Sequence, residues 1–154
     1  MAETPRRIDT DAARAHLDRA LDAHEQVFER FFLARLWDLT YAYLPEDAPD
    51  AEKEVCRITF PASEMGFNPQ GSVHGGVLAT VMDISMGHLV NKVAGPGATI
   101  EMKIQFMRPV GAGEVTCEGR FIRRGRTISF MESRVFDAAG KLSAHATATW
   151  KMPG

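Results

Sequence analysis

Apolar and polar positions alternate in two different rhythms along this chain. From residue 10 to 36, Leu17, Leu21, Val27, Phe28, Phe31 and Phe32 fall roughly along one stripe. That spacing predicts a helix with Thr10 as its N-cap, weakened where His24 falls on the apolar side. Residues 43–54 (YLPEDAPDAEKE) read as a loop rich in proline and acid, and EVCRITF (54–60) alternates as a strand stopped by Pro61. After the irregular PASEMGFNPQGSV, apolar residues cover most of the circumference from Gly75 to about Val93, and AGPG (94–97) ends the run. A helix of that kind is buried.

The rhythm then changes to period two. In TIEMKIQFMR (99–108), Ile100, Met102, Ile104 and Phe106 share one face, with Thr99, Glu101, Lys103 and Gln105 on the other. EVTCEGRFIR (114–123) and TISFMESRVFD (127–137) flank the turn RRGR, and DAAGK turns into LSAHATATW (142–150). One long helix followed by four consecutive antiparallel strands is an α+β pattern, and without β-α-β alternation a doubly wound parallel sheet is disfavoured.

Composition narrows this picture rather than redirecting it. The 154 residues suit one domain, with 45% hydrophobic and 25% charged residues and a net charge of −2. Nothing in that balance favours nucleic acid or an anionic membrane. No apolar run is long enough to span a bilayer, and the first residues lack the apolar centre of a secretory signal. Cys56 and Cys117 have no metal-ligand spacing and read as reduced core residues of a cytoplasmic protein.

The candidate chemistry lies in NPQGSVHGGVLATVMDISMG, Asn68 to Gly87. Asp83 sits in the middle of the apolar helix, on a strip with Gly76, Ala79, Thr80 and Gly87. A buried carboxylate without a partner costs several kcal/mol, so Asp83 needs a hydrogen-bond donor, a ligand or a proton; a structural acid held by a backbone group is the plainer reading. Gly75 and Gly76 leave the first N–H groups of the helix uncovered at the positive end of its dipole, a place suited to an oxyanion, or simply a tight entry turn. His74 caps the helix, orients the turn or touches substrate. Gly75 and Asp83 are eight residues apart, about 12 Å of helix axis, whereas a base must come within about 3 Å of the proton it takes. Two antiparallel copies of the helix about a two-fold axis would bring Asp83 of one chain to the helix mouth of the other.

These residues, Asn68-x5-His74-Gly75-Gly76 with Asp83 further along the helix, resemble the hotdog-fold acyl-CoA thioesterases of the PaaI-like, phenylacetate-degradation group. The resemblance covers about residues 37–151. It implies a hotdog domain over 37–154, a long helix wrapped by an antiparallel sheet whose subunits pair their sheets. Residues 1–36 read as an extra N-terminal helical arm, longer than the usual family N-terminus, with the role of capping the acyl tunnel, extending the dimer contact, mediating tetramer packing or simply covering an exposed sheet edge. The resemblance further implies that Asp83 is the general base or the nucleophile, that the Gly75 N–H polarises the thioester carbonyl, and that Asn68 helps hold the carbonyl or the water. It places His74 near the thioester and Thr99 beside the nucleophilic water. Gly76 would line the substrate site. No metal or other cofactor is needed, because a thiolate leaves readily. The implied partners are an acyl-CoA substrate and further copies of the chain, as a homodimer or a dimer of dimers.

Arg108, Arg124 and Arg126 lie at strand ends or in the RRGR hairpin and suit the phosphates of CoA, unless they only solvate a turn. His88 and His145 read as structural or solvent-facing. Ser72 and Ser85 lack a GxSxG context, which disfavours an α/β-hydrolase mechanism. The expected activity is hydrolysis of an aryl- or medium-chain acyl-CoA. The alternatives are a non-catalytic hotdog module binding an acyl-CoA or fatty acyl ligand, and a hotdog hydratase, which would want an Asp–His pair on one loop–helix segment.

Overall fold

The computed structural model describes residues 7–45 and 54–154. The chain divides into two units, one up to Leu39 and the other from Thr40 to Gly154. In the first, α1 (Thr10–Ala23) and α2 (Phe32–Leu36) replace the single helix that the apolar stripe predicts. The cap is Asp9, not Thr10: its carboxylate accepts from the N–H groups of Asp11 and Ala12 at 3.0 Å each. A carboxylate at the positive helix end gains charge–dipole energy that a hydroxyl lacks. The break falls at His24, whose ring N–H donates to the Leu21 carbonyl at 2.6 Å as the backbone turns extended. A side chain that takes a terminal carbonyl removes the reason for the helix to continue.

The second unit is a six-stranded antiparallel sheet with one long helix on it. Its strands are β1 (Thr40–Leu44), β2 (Val55–Ala62), β3 (Ala98–Phe106), β4 (Gly113–Arg123), β5 (Ile128–Phe136) and β6 (Leu142–Lys151), in the order β1-β2-β4-β5-β6-β3. The helix is α3 (Gly75–Ala94). The helix and the last four strands fall where the periodicity puts them. The strand β1 is new: it takes Tyr43 and Leu44 out of the predicted 43–54 loop, of which residues 46–53 lie outside the described part. Pro61 does not stop β2. It pairs with Glu114 of β4, past Thr59 where the pairing with β1 ends, so proline sits where β2 has a neighbour on one side only.

The core forms where α3 lies across β2, β4, β5 and β3. Leu78, Val81, Met82, Met86, Leu89 and Val90 of α3 are buried against Ile58, Val115, Met131 and Val135 of the sheet. Each such side chain contributes about 1.5–3 kcal/mol through removal from water. Gly119 of β4 marks the closest approach: a Cβ there would stand 2.7 Å from the backbone carbon and from Oγ of Ser85. His88 is buried and structural, stacked on Tyr41 at 4.1 Å with Nδ1 3.2 Å from Tyr43 Oη.

The edge strand β3 departs from strict alternation. Its pairing with β6 shifts between Thr99 and Glu101, a β-bulge that leaves Ile100 without a partner. Thr99 is paired with the buried Trp150, on the same face as Met102–Ala148 and Ile104–Ala146. The bulge therefore turns Thr99 to the helix side and expels Ile100, which is 55% exposed. The alternation read from sequence puts those two residues the other way round.

On the opposite face of the sheet a charge ladder crosses the strands. Glu132 Oε2 lies 2.8 Å from His145 Nε2, and its other oxygen is 3.1 Å from Arg134 and 3.3 Å from Arg120. Burial alone would raise the Glu132 pKa, but the hydrogen bond from His145 and the two guanidinium groups outweigh it and hold the carboxyl below its ordinary value.

Candidate active site

The loop before α3 is shaped by Asn68. Its Oδ1 accepts from the N–H groups of Gln70 at 3.0 Å and Ser72 at 3.3 Å, and its Nδ2 donates to Ser72 Oγ at 3.1 Å. Gly71, at φ 82°, closes the turn. This is a side chain imitating backbone, the usual work of Asn in a turn, and it leaves one Nδ2 hydrogen for anything else.

His74 caps the helix. Its Nδ1 accepts from the Gly76 N–H at 2.9 Å, which makes Nε2 the protonated nitrogen and points to why residue 76 is glycine: a Cβ there would stand 3.1 Å from Nδ1. The Gly76 N–H is thus consumed within the chain, contrary to a mouth in which both glycines offer donors. The Gly75 N–H takes no protein acceptor among the described residues. It stands at the positive end of a 20-residue helix. Phe106, 53% exposed, brings its ring tip to this mouth, where a Cβ on Gly75 would be 3.1 Å from Cζ.

Asp83 lies two turns further on. Thr99 Oγ1 donates to its Oδ1 at 2.6 Å, the short distance of a bond to a charged acceptor. Asp83 is half-buried rather than enclosed, as are Ala79, Thr80 and Gly87 of its strip, while Gly76 and Thr99 are exposed. Within one chain the uncovered Gly75 N–H and the Asp83–Thr99 pair stand about 12 Å apart along the helix. Along the edge strand, Phe106, whose ring tip reaches the mouth, and Thr99, at the acid, are seven residues apart, about 23 Å of strand, so the strand also keeps the two places apart.

The arginines are dispersed. Arg108 follows β3 at the Gly75 end and donates to the Leu142 carbonyl at 2.6 Å. Arg124 donates to the Val93 carbonyl at 3.2 Å, at the far end of α3. Arg126 is exposed in the β4–β5 turn and has no protein partner among the described residues. About 30 Å of helix separates the two groups, so one chain does not bring all three to one phosphate. Among the described residues no cluster of His, Cys, Asp and Glu could hold a metal ion, and no helix is long and apolar enough to cross a membrane.

Residues 70–144, from the loop before α3 into β6, match the family model of the Thioesterase superfamily. Human acyl-coenzyme A thioesterase 13 is 30% identical over 101 residues, covering 63% of this chain and 71% of the human protein. The chain belongs to the thioesterase superfamily. It is a PaaI-like hotdog protein of that superfamily, and its enzyme class is thioester hydrolase. A phenylacetic acid degradation-related protein from Ralstonia eutropha is 26% identical, with a TM-score of 0.70 over 89% of this chain and 99% of the other. The fold extends further: a Bacillus halodurans protein solved with CoA has a TM-score of 0.81 at 20% identity, covering 98% of this chain and 97% of that one.

Within this superfamily member, the structure brings Asp83 to Thr99 and His74 to Gly76, and leaves Asn68 in its own turn. Sequence reasoning passed over Phe106 as an ordinary strand residue and weighed Ser85 only as a nucleophile. A glycine inside a strand, Gly119, was the available signal that something packs there.

Proposed function

We propose that this thioesterase hydrolyses an aryl- or medium-chain acyl-CoA to the free acid and CoA, using water activated by Asp83 at a site shared between two subunits. The observation that carries the reading is the Asp83–Thr99 pair, held at 2.6 Å but two helical turns from the free Gly75 N–H of its own chain. Antiparallel pairing of two α3 helices through the small-residue strip would set each pair against the partner's helix mouth. Thr99 engages Oδ1 and leaves Oδ2 to take the proton from water. The hydroxide adds to the thioester carbonyl carbon, the Gly75 N–H of the partner subunit stabilises the oxyanion, and the C–S bond breaks to release CoA as thiolate. Asp83 as nucleophile is the variant of the same site, through an anhydride that water then opens.

In this arrangement His74 holds the mouth in shape by capping Gly76, and Asn68 holds the preceding turn, its spare Nδ2 hydrogen facing the carbonyl or the water. Arg124, bonded to Val93, marks the C-terminal end of α3, with Arg126 two residues on in sequence; with Asp83 at the partner's mouth, that end stands about 15 Å beyond it, where phosphates of CoA would be met. Arg126 is the freer of the two. Arg108 serves from the mouth's own side. Buried reduced thiols at Cys56 and Cys117 fit a cytoplasmic setting.

The test is thiol release from a panel of aryl- and fatty-acyl-CoAs, wild type beside Asp83→Asn. The expected result is turnover by the wild type, with the substituted protein slower by about 10²–10⁴-fold while still folded. Binding of acyl-CoA without release by the wild type would replace this reading with that of a binding module.

A further inference from the structure

Behind Asp83, on the buried side of α3, a chain of polar groups joins the helix to the sheet. Ser85 Oγ donates to the Met82 carbonyl at 2.7 Å, Ser133 Oγ lies 2.9 Å from Ser85 Oγ, and Cys117 Sγ lies 3.2 Å from Ser133 Oγ. All three residues are fully buried. The protons allow one order only. Ser85 spends its hydrogen on Met82, so Ser133 must donate to Ser85, and the Cys117 thiol must donate to Ser133. Burial raises the Cys117 pKa to about 11, so the thiol keeps the proton that this order requires.

The chain ends on the carbonyl of the residue before Asp83, and its anchor, Ser85, is the second residue after it. Two residues of helix are about 200° of rotation, so Ser85 faces the sheet while Asp83 faces the open strip. The contact is tight: Gly119 beneath Ser85 has no room for a Cβ. One turn beyond Asp83, a Cβ on Gly87 would be 3.0 Å from the ring of Trp150, the residue paired with Thr99. A serine bonded back to the carbonyl three residues earlier also bends a helix locally.

The geometry points to Ser85, Ser133 and Cys117 as positioning residues for the hydrolysis, setting the roll of α3 that brings the Asp83 carboxylate to Thr99 and to the scissile carbonyl. This rests on the reading of Asp83 given above. Substrate is bound by the helix mouth and the arginines, which this polar chain does not touch. Loosening it would therefore lower kcat and spare KM, since a displacement of about 1 Å at a reacting group costs up to 10²-fold in rate.

The experiment compares kcat and KM of Ser85→Ala, Ser133→Ala, their double substitution, Cys117→Ala and Cys117→Ser, with Cys56→Ala as control. The control also removes a fully buried thiol from the helix-facing side, but none of this chain. The expected result is a kcat lowered roughly tenfold in each alanine variant of the chain, a double variant little worse than either single one, and KM within about twofold of wild type. Cys117→Ser keeps a donor and retains kcat, and so does the control. Folded variants with wild-type kcat, beside an inactive Asp83→Asn, overturn the positioning role alone. A wild type without turnover overturns the hydrolase reading and this inference with it.

Discussion

Two variants that are each inactive should restore one another if the site is shared. Asp83→Asn removes the base, which costs about 10²–10⁴-fold. Gly75→Pro removes the proposed oxyanion donor and little else. Proline is at home in the first position of a helix, because its fixed φ is helical and the missing N–H has no intrahelical acceptor. The preceding residue must be extended, and His74 already is, at φ −60° and ψ 135°. The nearest atoms to an added Cβ are at the tip of Phe106, a half-exposed side chain. Loss of one oxyanion donor costs about 10²–10³-fold. The two chains, co-expressed with different tags and purified through both, give a heterodimer. If Asp83 of one subunit serves Gly75 of the other, one of its two sites carries both lesions and the other carries none. Thiol release should then be about half that of wild type, against about 1% or less for either parent. If base and donor served the same carbonyl within one chain, both sites would keep one lesion each. A folded heterodimer no faster than its parents would refute the 12 Å separation as the reason for a shared site.

Thr99→Val keeps the shape of the side chain and removes the donor to Asp83 Oδ1. It should slow thiol release about tenfold, with Thr99→Ser close to wild type; equal rates for all three would remove Thr99 from the site. The charge ladder predicts a pH dependence of stability rather than of rate. A carboxylate whose folded pKa is depressed contributes stability above its unfolded value and loses it as pH falls through the folded one. Glu132→Gln should therefore be less stable than wild type in urea at pH 7, and the difference should close as pH falls below the ordinary carboxylate value of 4.5; a gap that stays constant to low pH would contradict the depressed carboxyl.

Local patterning was enough for the elements whose period is short. The long helix, the strands after it, and the His74-Gly75-Gly76 entry are each written in neighbouring residues, because side-chain direction repeats every 3.6 or 2 positions. The pattern also singled out Asp83, since a carboxylate in an apolar helix has to be answered by something. Tertiary structure decided what depends on distant partners. Pro61 lies inside a strand because β1 ends before reaching it, and β1 itself, five residues with two inward tyrosines, exists because β2 offers it an edge. Thr99 stands on the wrong face for the site until the bulge at Ile100, a matter of register with β6, turns it toward Asp83. The single predicted arm helix is two, because the His24 ring and not the apolar stripe decides where the backbone leaves helical geometry. Whether Ser85 is an inert core hydroxyl or an anchor for the helix depends on Gly119 and Ser133, 34 and 48 positions further along. Periodicity reports the direction of a side chain; only the packed sheet fixes what it meets.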